Sequence, residues 1–271
     1  MSQVSEDVRA RNRAVWSAGD WDKMSDFLAP VGPKLLDRIG VGRGTSLLDV
    51  GTGSGGTVAI PAAQRGASVV GSDFIDAWFD AARRRAAEAG VEVEWVVGDA
   101  QELPFEDASF DVVTSTFGHM FAPGQEAAAS ELARVVKPGG TIGFAAWRPA
   151  GNIGCFFAAV SSHMPPPPPG FTPPPLWGTE ARVRELLEPH GIELSFSNEV
   201  VRFELPAKDD LLELQETSFG PVVTAKAVLG DVGWPALRED LRKLFDDVNE
   251  RTDGTYAADM EYLQTIGRRP A

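Results

Sequence analysis

Short apolar runs that end on an acid, a glycine or a hydroxyl residue recur along the middle of this chain. They are Leu47 to Val50, Ala67 to Asp73, Val93 to Val97, Phe110 to Thr116 and Thr141 to Ala145. Runs of this length bounded by turn signals predict buried strands. Helix-like segments lie between them, among them Asp76 to Ala89, where Asp76 is the expected N-cap. Upstream, Trp16, Trp21, Met24, Phe27, Leu28, Leu35 and Leu36 recur at helical intervals, interrupted by Pro30 and Pro33. Two or three short helices therefore precede the first strand.

Downstream the pattern changes. From Arg148 to Leu176 the chain is expected to be largely extended, because Pro165 to Pro169 and Pro173 to Pro175 lack N–H groups and hold φ near the polyproline value. This segment reads as a rigid connector or as a wall of a ligand pocket. A helix then opens at Gly178-Thr179-Glu180 and closes at Gly191, and Ile192 to Leu205 alternates as a sixth strand. Asp209 to Val248 is mostly helical, broken at Gly220-Pro221, Gly230 and Gly233, and Thr255 to Ile266 supplies a seventh strand. The helical piece between the last two strands exceeds what a hairpin needs, so it is expected to cap a pocket or to form a surface for a second copy in a homodimer.

The stretch Leu47-Leu48-Asp49-Val50-Gly51-Thr52-Gly53-Ser54-Gly55-Gly56 carries the most chemistry. Glycines permit positive φ and close backbone approach to a ligand, and the helix that follows is expected to offer free N–H groups. Pro61 either starts that helix late or kinks it. The glycines also satisfy the dinucleotide fingerprint. Asp49, at the strand end, would oppose a pyrophosphate and attract a cationic sulfonium and ammonium, which favours S-adenosylmethionine. Asp73 ends the second strand and can accept two ribose hydroxyls, as it would for either cofactor. Gly98-Asp99-Ala100 closes the third strand, where a carboxylate and a backbone N–H can read adenine. Lys137-Pro138-Gly139-Gly140 is a helix stop and turn before the fifth strand.

Together these residues resemble the class I S-adenosylmethionine-dependent methyltransferases, in particular the branch similar to the ubiquinone and menaquinone methyltransferases. The resemblance is strongest from Leu47 to Trp147. It implies a Rossmann-like, doubly wound α/β sheet of seven strands with the last antiparallel, N-terminal helices folded over the cofactor, and a C-terminal helical cap insertion. The implied cofactor contacts are Asp49, Gly51, Thr52, Gly53, Asp73, Phe74, Asp99, Ala100 and Thr116. Residues 1–271 read as a single domain. Within it, 1–40 are the N-terminal helices, 41–149 the cofactor-binding core, 150–190 the Pro-rich connection and helix, and 207–252 the cap. Trp16 or Trp21 would line the site or join the core.

Composition narrows the class. The chain has 271 residues, 43% hydrophobic, and a formal charge of −14, which opposes binding to nucleic acid. Arg83-Arg84-Arg85 reads as a solvated helix face. The single cysteine, Cys155, excludes an intramolecular disulfide, and scattered histidines give no metal-ligand spacing. The start of the chain lacks the apolar core of a signal peptide and no run approaches the ~20 apolar residues of a membrane span, so a cytoplasmic protein is expected.

The sulfonium already activates the methyl group, so the chain mainly aligns an acceptor and, where needed, takes a proton. His119, just past the fourth strand, is the candidate general base; the other reading is a turn or pocket-wall residue bonded to backbone. His163 is a weaker second, and His190, at a helix end beside Gly191, reads as structural. The expected function is methyl transfer to a small aromatic or apolar acceptor, a specialised metabolite or quinone-like compound, with oxygen slightly favoured. The alternatives are a non-catalytic S-adenosylmethionine-binding scaffold or regulatory protein and, less in keeping with Asp49, a nicotinamide reductase.

Overall fold

The computed structural model describes residues 5–167 and 171–271. The start of the chain and the end of the first proline run, to which the leader and polyproline expectations apply, lie outside the described residues. Seven strands form one sheet: β1 (Ser46–Val50), β2 (Ser68–Asp73), β3 (Glu94–Val97), β4 (Phe110–Thr116), β5 (Val136–Trp147), β6 (Glu193–Leu205) and β7 (Tyr256–Arg268). Their spatial order is β3-β2-β1-β4-β5-β7-β6, and β7 runs antiparallel to both neighbours. This is the Rossmann-like architecture that the family resemblance implied.

Alternation along the strands explains why both faces are covered. Leu47 and Val112 pack with Leu36 of α3 (Val31–Ile39) and Ala62 of α4 (Ala59–Gln64). Their neighbours Leu48 and Val113 belong to the larger core on the opposite face, with Leu132 of α6 (Gln125–Val135). Successive side chains point to opposite faces, so a strand that is apolar throughout is stable only between two helical layers. The strand order reverses between β1 and β4, which opens a crevice at their carboxyl ends.

Two helices from the start of the chain lie over that crevice, α1 (Glu6–Ser17) and α2 (Trp21–Ser25). They dock on the helices of the cap, α9 (Asp210–Ser218) and α10 (Gly220–Val248), through close backbone approach. A Cβ at Gly19 would stand 2.1 Å from the Ser218 carbonyl oxygen, and one at Gly220 would stand 2.2 Å from that of Val15. Helix α10 breaks at Gly230, where φ is 58° and ψ is −167°. The cap thus closes on the N-terminal helices, and no helix of the described residues is long and apolar enough to cross a membrane.

Three local expectations need correction, and one that stood open is decided. The segment after Arg148 is not extended throughout, because Asn152–His163 forms α7, which contains no proline. The helix after the glycine turn starts late, at Ala59, with Pro61 in its first turn where a missing N–H is harmless. Asp76 does not cap α5 (Phe79–Glu88); it opens a 3-10 turn, Asp76–Trp78, with no side-chain cap bond. The arginines of α5 are not merely solvated, since Arg85 pairs with Asp22 at 2.6 Å and Asp26 at 2.8 Å, and Arg84 with Asp22 at 2.9 Å. Helix α8 (Glu180–Leu187) starts on Thr179, whose hydroxyl accepts from the Arg182 N–H, and Gly191 ends the following turn at φ 74°.

The turn after β1 lies directly against the turn after β4. A Cβ on Gly118 would meet the Cα and the carbonyl oxygen of Gly51, each at 2.8 Å. Gly118→Ala is therefore expected to destabilise the fold by roughly 1–3 kcal/mol, as overpacking does. Thermal melting followed by circular dichroism should show a midpoint several degrees lower; an unchanged midpoint would mean that the two turns separate freely.

Candidate active site

The crevice is floored by residues from the ends of four strands. Asp49 is the penultimate residue of β1, and its carboxylate accepts from the Thr52 hydroxyl at 2.7 Å and the Thr114 hydroxyl at 3.0 Å. Burial pushes its pKa up to about 7. These bonds point the group into the protein, and neither Asp49 nor Thr52 lines the cavity. Asp49 thus braces the glycine turn from below and does not line the cavity, where the sequence reading had it attract the ligand directly or through water. Above it, Gly51 and Gly53 have φ of 67° and 55° and form the cavity floor.

Asp73, at the end of β2, faces the cavity. Its carboxylate accepts from the Gly53 N–H at 2.9 Å and the Ile75 N–H at 3.0 Å, and burial lifts its pKa to about 6. One carboxylate thereby ties the glycine turn to the end of the second strand and keeps lone pairs for a ligand. Asp99 accepts from the Gln101 N–H at 2.9 Å and pairs with Arg9 at 3.3 Å. Phe74, Ala100 and Thr116 complete the sequence-expected set, and all three line the same cavity. That cavity has a volume of about 200 Å³.

Helix α1 forms its roof. Arg13 donates to the Phe74 carbonyl and lies over the Phe74 ring, 5.4 Å from its centroid, while the Asn12 amide donates to the Phe121 carbonyl at 3.2 Å. With Glu6 and Trp16 these residues give the site a polar lid that chemistry alone did not mark in the chain. The available signal was spacing, because Arg9, Arg13 and Trp16 repeat on one helical face. Trp16 and Trp21 both line the cavity, and the Trp21 indole lies on Gly53, where a Cβ would be 2.6 Å from the ring.

His119 stands apart from this group. Its ring is fully buried against Phe144 and Trp177, with centroids at 4.6 and 4.5 Å, and neither nitrogen has a hydrogen-bond partner among the described residues. Burial drives its pKa down to about 3. Gly118 and Phe121 line the cavity but His119 does not, because the 3-10 turn His119–Phe121 directs the imidazole into the core. The geometry offers no route from this ring to an acceptor proton. His163 pairs with Asp240 at 2.9 Å, and His190 is exposed, so no imidazole reaches the site. Among the described residues no group of His, Cys, Asp and Glu side chains converges as a metal site.

The buried ionisable groups pull stability in opposite directions with pH. Asp49 and Asp73 hold protons in the folded state that the unfolded chain has already released, so their contribution is full below about pH 4 and lost as pH rises through about 6 to 7. His119 is the reverse, and its contribution is lost as pH falls from about 6.5 towards 3. The ligand-free protein is expected to show a urea midpoint that falls between pH 5 and 7.5, and Asp49→Asn should flatten that limb. Equal slopes in the two proteins would contradict a protonated Asp49.

Comparison with known proteins agrees with this geometry. A family model described as a methyltransferase domain matches residues 47–140, the stretch from β1 to the turn within β5. An uncharacterized protein of Mycobacterium tuberculosis is 37% identical over 234 residues, covering 85% of this chain and 84% of that protein. Nocamycin O-methyltransferase of Saccharothrix syringae is 39% identical over 131 residues, 46% of each chain. A crystal structure from Bacillus halodurans shares the fold with a TM-score of 0.62 at 22% identity, covering 88% of this chain and 98% of the other. With its strand order, glycine turn and matched domain, the chain belongs to the class I S-adenosylmethionine-dependent methyltransferases.

Proposed function

We propose that this enzyme methylates an aromatic or apolar specialised metabolite or quinone-like compound, with an oxygen as the favoured acceptor atom. The observation that carries the reading is the position of the cavity. It lies where the strand order reverses, is floored by a glycine turn, and is bounded on its far side by Trp21 and Phe121, which also wall a second, apolar space. The relative named for O-methylation supports the choice of atom.

The cavity suits the cofactor in three ways. Gly51 and Gly53 bring bare backbone to the cavity floor, Asp73 keeps unused lone pairs, and apolar Phe74, Ile75 and Trp78 line the same cavity as the carboxylates of Asp73 and Asp99. In this reading Asp73 receives the ribose hydroxyls and Asp99 with the Ala100 N–H reads the adenine. The glycine turn and the Thr116 carbonyl hold the methionine end, and Asp49 acts only by fixing that turn. S-adenosylmethionine supplies a methyl group on a cationic sulfur, already activated for transfer.

What remains for the chain is alignment and exclusion of water. Trp16, Trp21 and α1 close over the cavity and keep the transfer dry. With no imidazole present, the acceptor that fits is one whose hydroxyl ionises readily, such as a phenol or enol, so that no strong base is required.

Titration calorimetry with S-adenosylhomocysteine tests the cofactor assignments. Asp73→Ala is expected to weaken binding by roughly 1.5–3 kcal/mol, the loss of hydrogen bonds to a charged group; unchanged affinity would remove Asp73 from the ribose. Transfer from methyl-labelled cofactor to a panel of phenols and hydroquinones tests the acceptor class. His119→Phe is expected to keep the pH profile of that transfer, and the loss of an ionisation near neutrality would restore the histidine as a base.

A further inference from the structure

Next to the cofactor cavity lies a second, smaller one of about 30 Å³. Trp21 and Phe121 wall both cavities and so form the partition between them. The rings beyond it come from distant segments: Phe156 and Phe157 from α7, Phe203 from β6 and Phe219 from the junction of α9 and α10. They pack on one another, with Phe156 and Phe219 at 5.9 Å, Phe157 and Phe219 at 6.1 Å, and Phe121 and Phe157 at 5.5 Å.

One residue in this wall is polar. Gln215 of α9 is 4% exposed, lines the chamber, and its side-chain oxygen has no hydrogen-bond partner among the described residues. A buried amide oxygen without a partner is costly to the fold, and an apolar residue of the same shape would be more stable there. Its placement therefore points to a ligand group that completes it. Every other lining residue is apolar, so the chamber would leave a carboxylate or an ammonium desolvated and unpaired.

We propose that this chamber is the acceptor subsite, that it takes the uncharged aromatic body of the acceptor, and that the Gln215 side-chain oxygen fixes its orientation by accepting a hydrogen bond from a neutral hydroxyl. The inference rests on the small-molecule methyltransferase reading above and adds to it the charge class of the substrate and a specificity-determining residue. At about 30 Å³ the chamber as it stands holds a water or two, so an aromatic ring enters as Trp21 and Phe121 yield and the two cavities join. That movement places the acceptor's reacting edge towards the cofactor side of the partition and its anchored end against Gln215.

The test uses the full-length protein, with and without saturating S-adenosylhomocysteine, and calorimetric titration of 2-naphthol and 2-naphthoate. The wild type should bind 2-naphthol, and 2-naphthoate at least tenfold more weakly. Gln215→Met should weaken 2-naphthol at least fivefold, leave S-adenosylhomocysteine affinity within twofold, and melt at the same or a higher temperature. A merely structural amide would instead give a lower melting temperature with unchanged naphthol binding. Should the methionine variant not fold, Gln215→Asn, which withdraws the same amide by one methylene, is expected to show the same loss of naphthol affinity. Unchanged naphthol affinity in the variants, no naphthol binding to the wild type, or equal binding of the carboxylate would overturn the proposal. Failure of the wild type to bind S-adenosylhomocysteine would instead strike the cofactor reading, while the naphthol titrations without it still judge the chamber.

Discussion

The contact of two backbone turns, Gly51 against Gly118, is the constraint on which the rest of the site depends. The strand order reverses between β1 and β4, so the chain must turn away on opposite sides at their ends, and only there can a ligand reach the backbone of both turns. A side chain on either glycine would force the turns apart. The buried bonds from Thr52 and Thr114 to Asp49 reinforce the same junction from within the sheet. Phe117 completes it in a left-handed conformation at φ 63°, with its ring stacked on Trp147 at 3.8 Å. A non-glycine residue in that region is held by its surroundings, and such strain concentrates at functional sites.

Above this floor the enzyme is assembled from parts far apart in sequence. The N-terminal helices are joined to the cap at Gly19 and Gly220, to α5 through the pairs of Asp22 and Asp26 with Arg85, and to the third strand's end by Arg9 and Asp99. Apart from the glycine contacts these links are polar and at least partly exposed, and α1 buries no residue fully. The lid is also held by Trp16, which packs on Phe121 and Phe219 at centroid distances of 4.5 and 5.7 Å, so it rests on apolar contact as well as on ion pairs that by themselves contribute little to stability. The sheet beneath it is buried on both faces and gives the lid a rigid seat.

The three buried ionisable groups near the site do different work. Asp73 combines a bond to the Gly53 N–H with a place in the cavity wall, Asp49 bonds to Thr52 and Thr114 outside that wall, and the His119 ring has no hydrogen-bond partner among the described residues and does not line the cavity. Burial shifts all three towards their neutral forms, so a perturbed pKa does not by itself mark a catalytic group. Access to the cavity separates them.

Much of the core was legible in the chain because its signals are local. Strand runs ending in Asp49, Asp73 and the Gly98-Asp99-Ala100 turn, the glycine cluster and the Lys-Pro-Gly-Gly turn each act over a few residues. Periodicity likewise located β6, the cap helices and β7 within a few residues of their observed bounds. Direction of side chains was not legible: Asp49 and His119 stand beside cavity residues in sequence, yet turn geometry points both away from the cavity. The roof by α1, the pairing of Arg85 with Asp22, and the aromatic chamber around Gln215 arise from contacts between segments separated by tens to hundreds of residues. No local pattern encodes such contacts. The sequence by itself determined the strands, the turns and the cofactor class, because propensity and backbone geometry act locally; which side chains meet in the cavity was decided only by the packing of distant helices on the sheet.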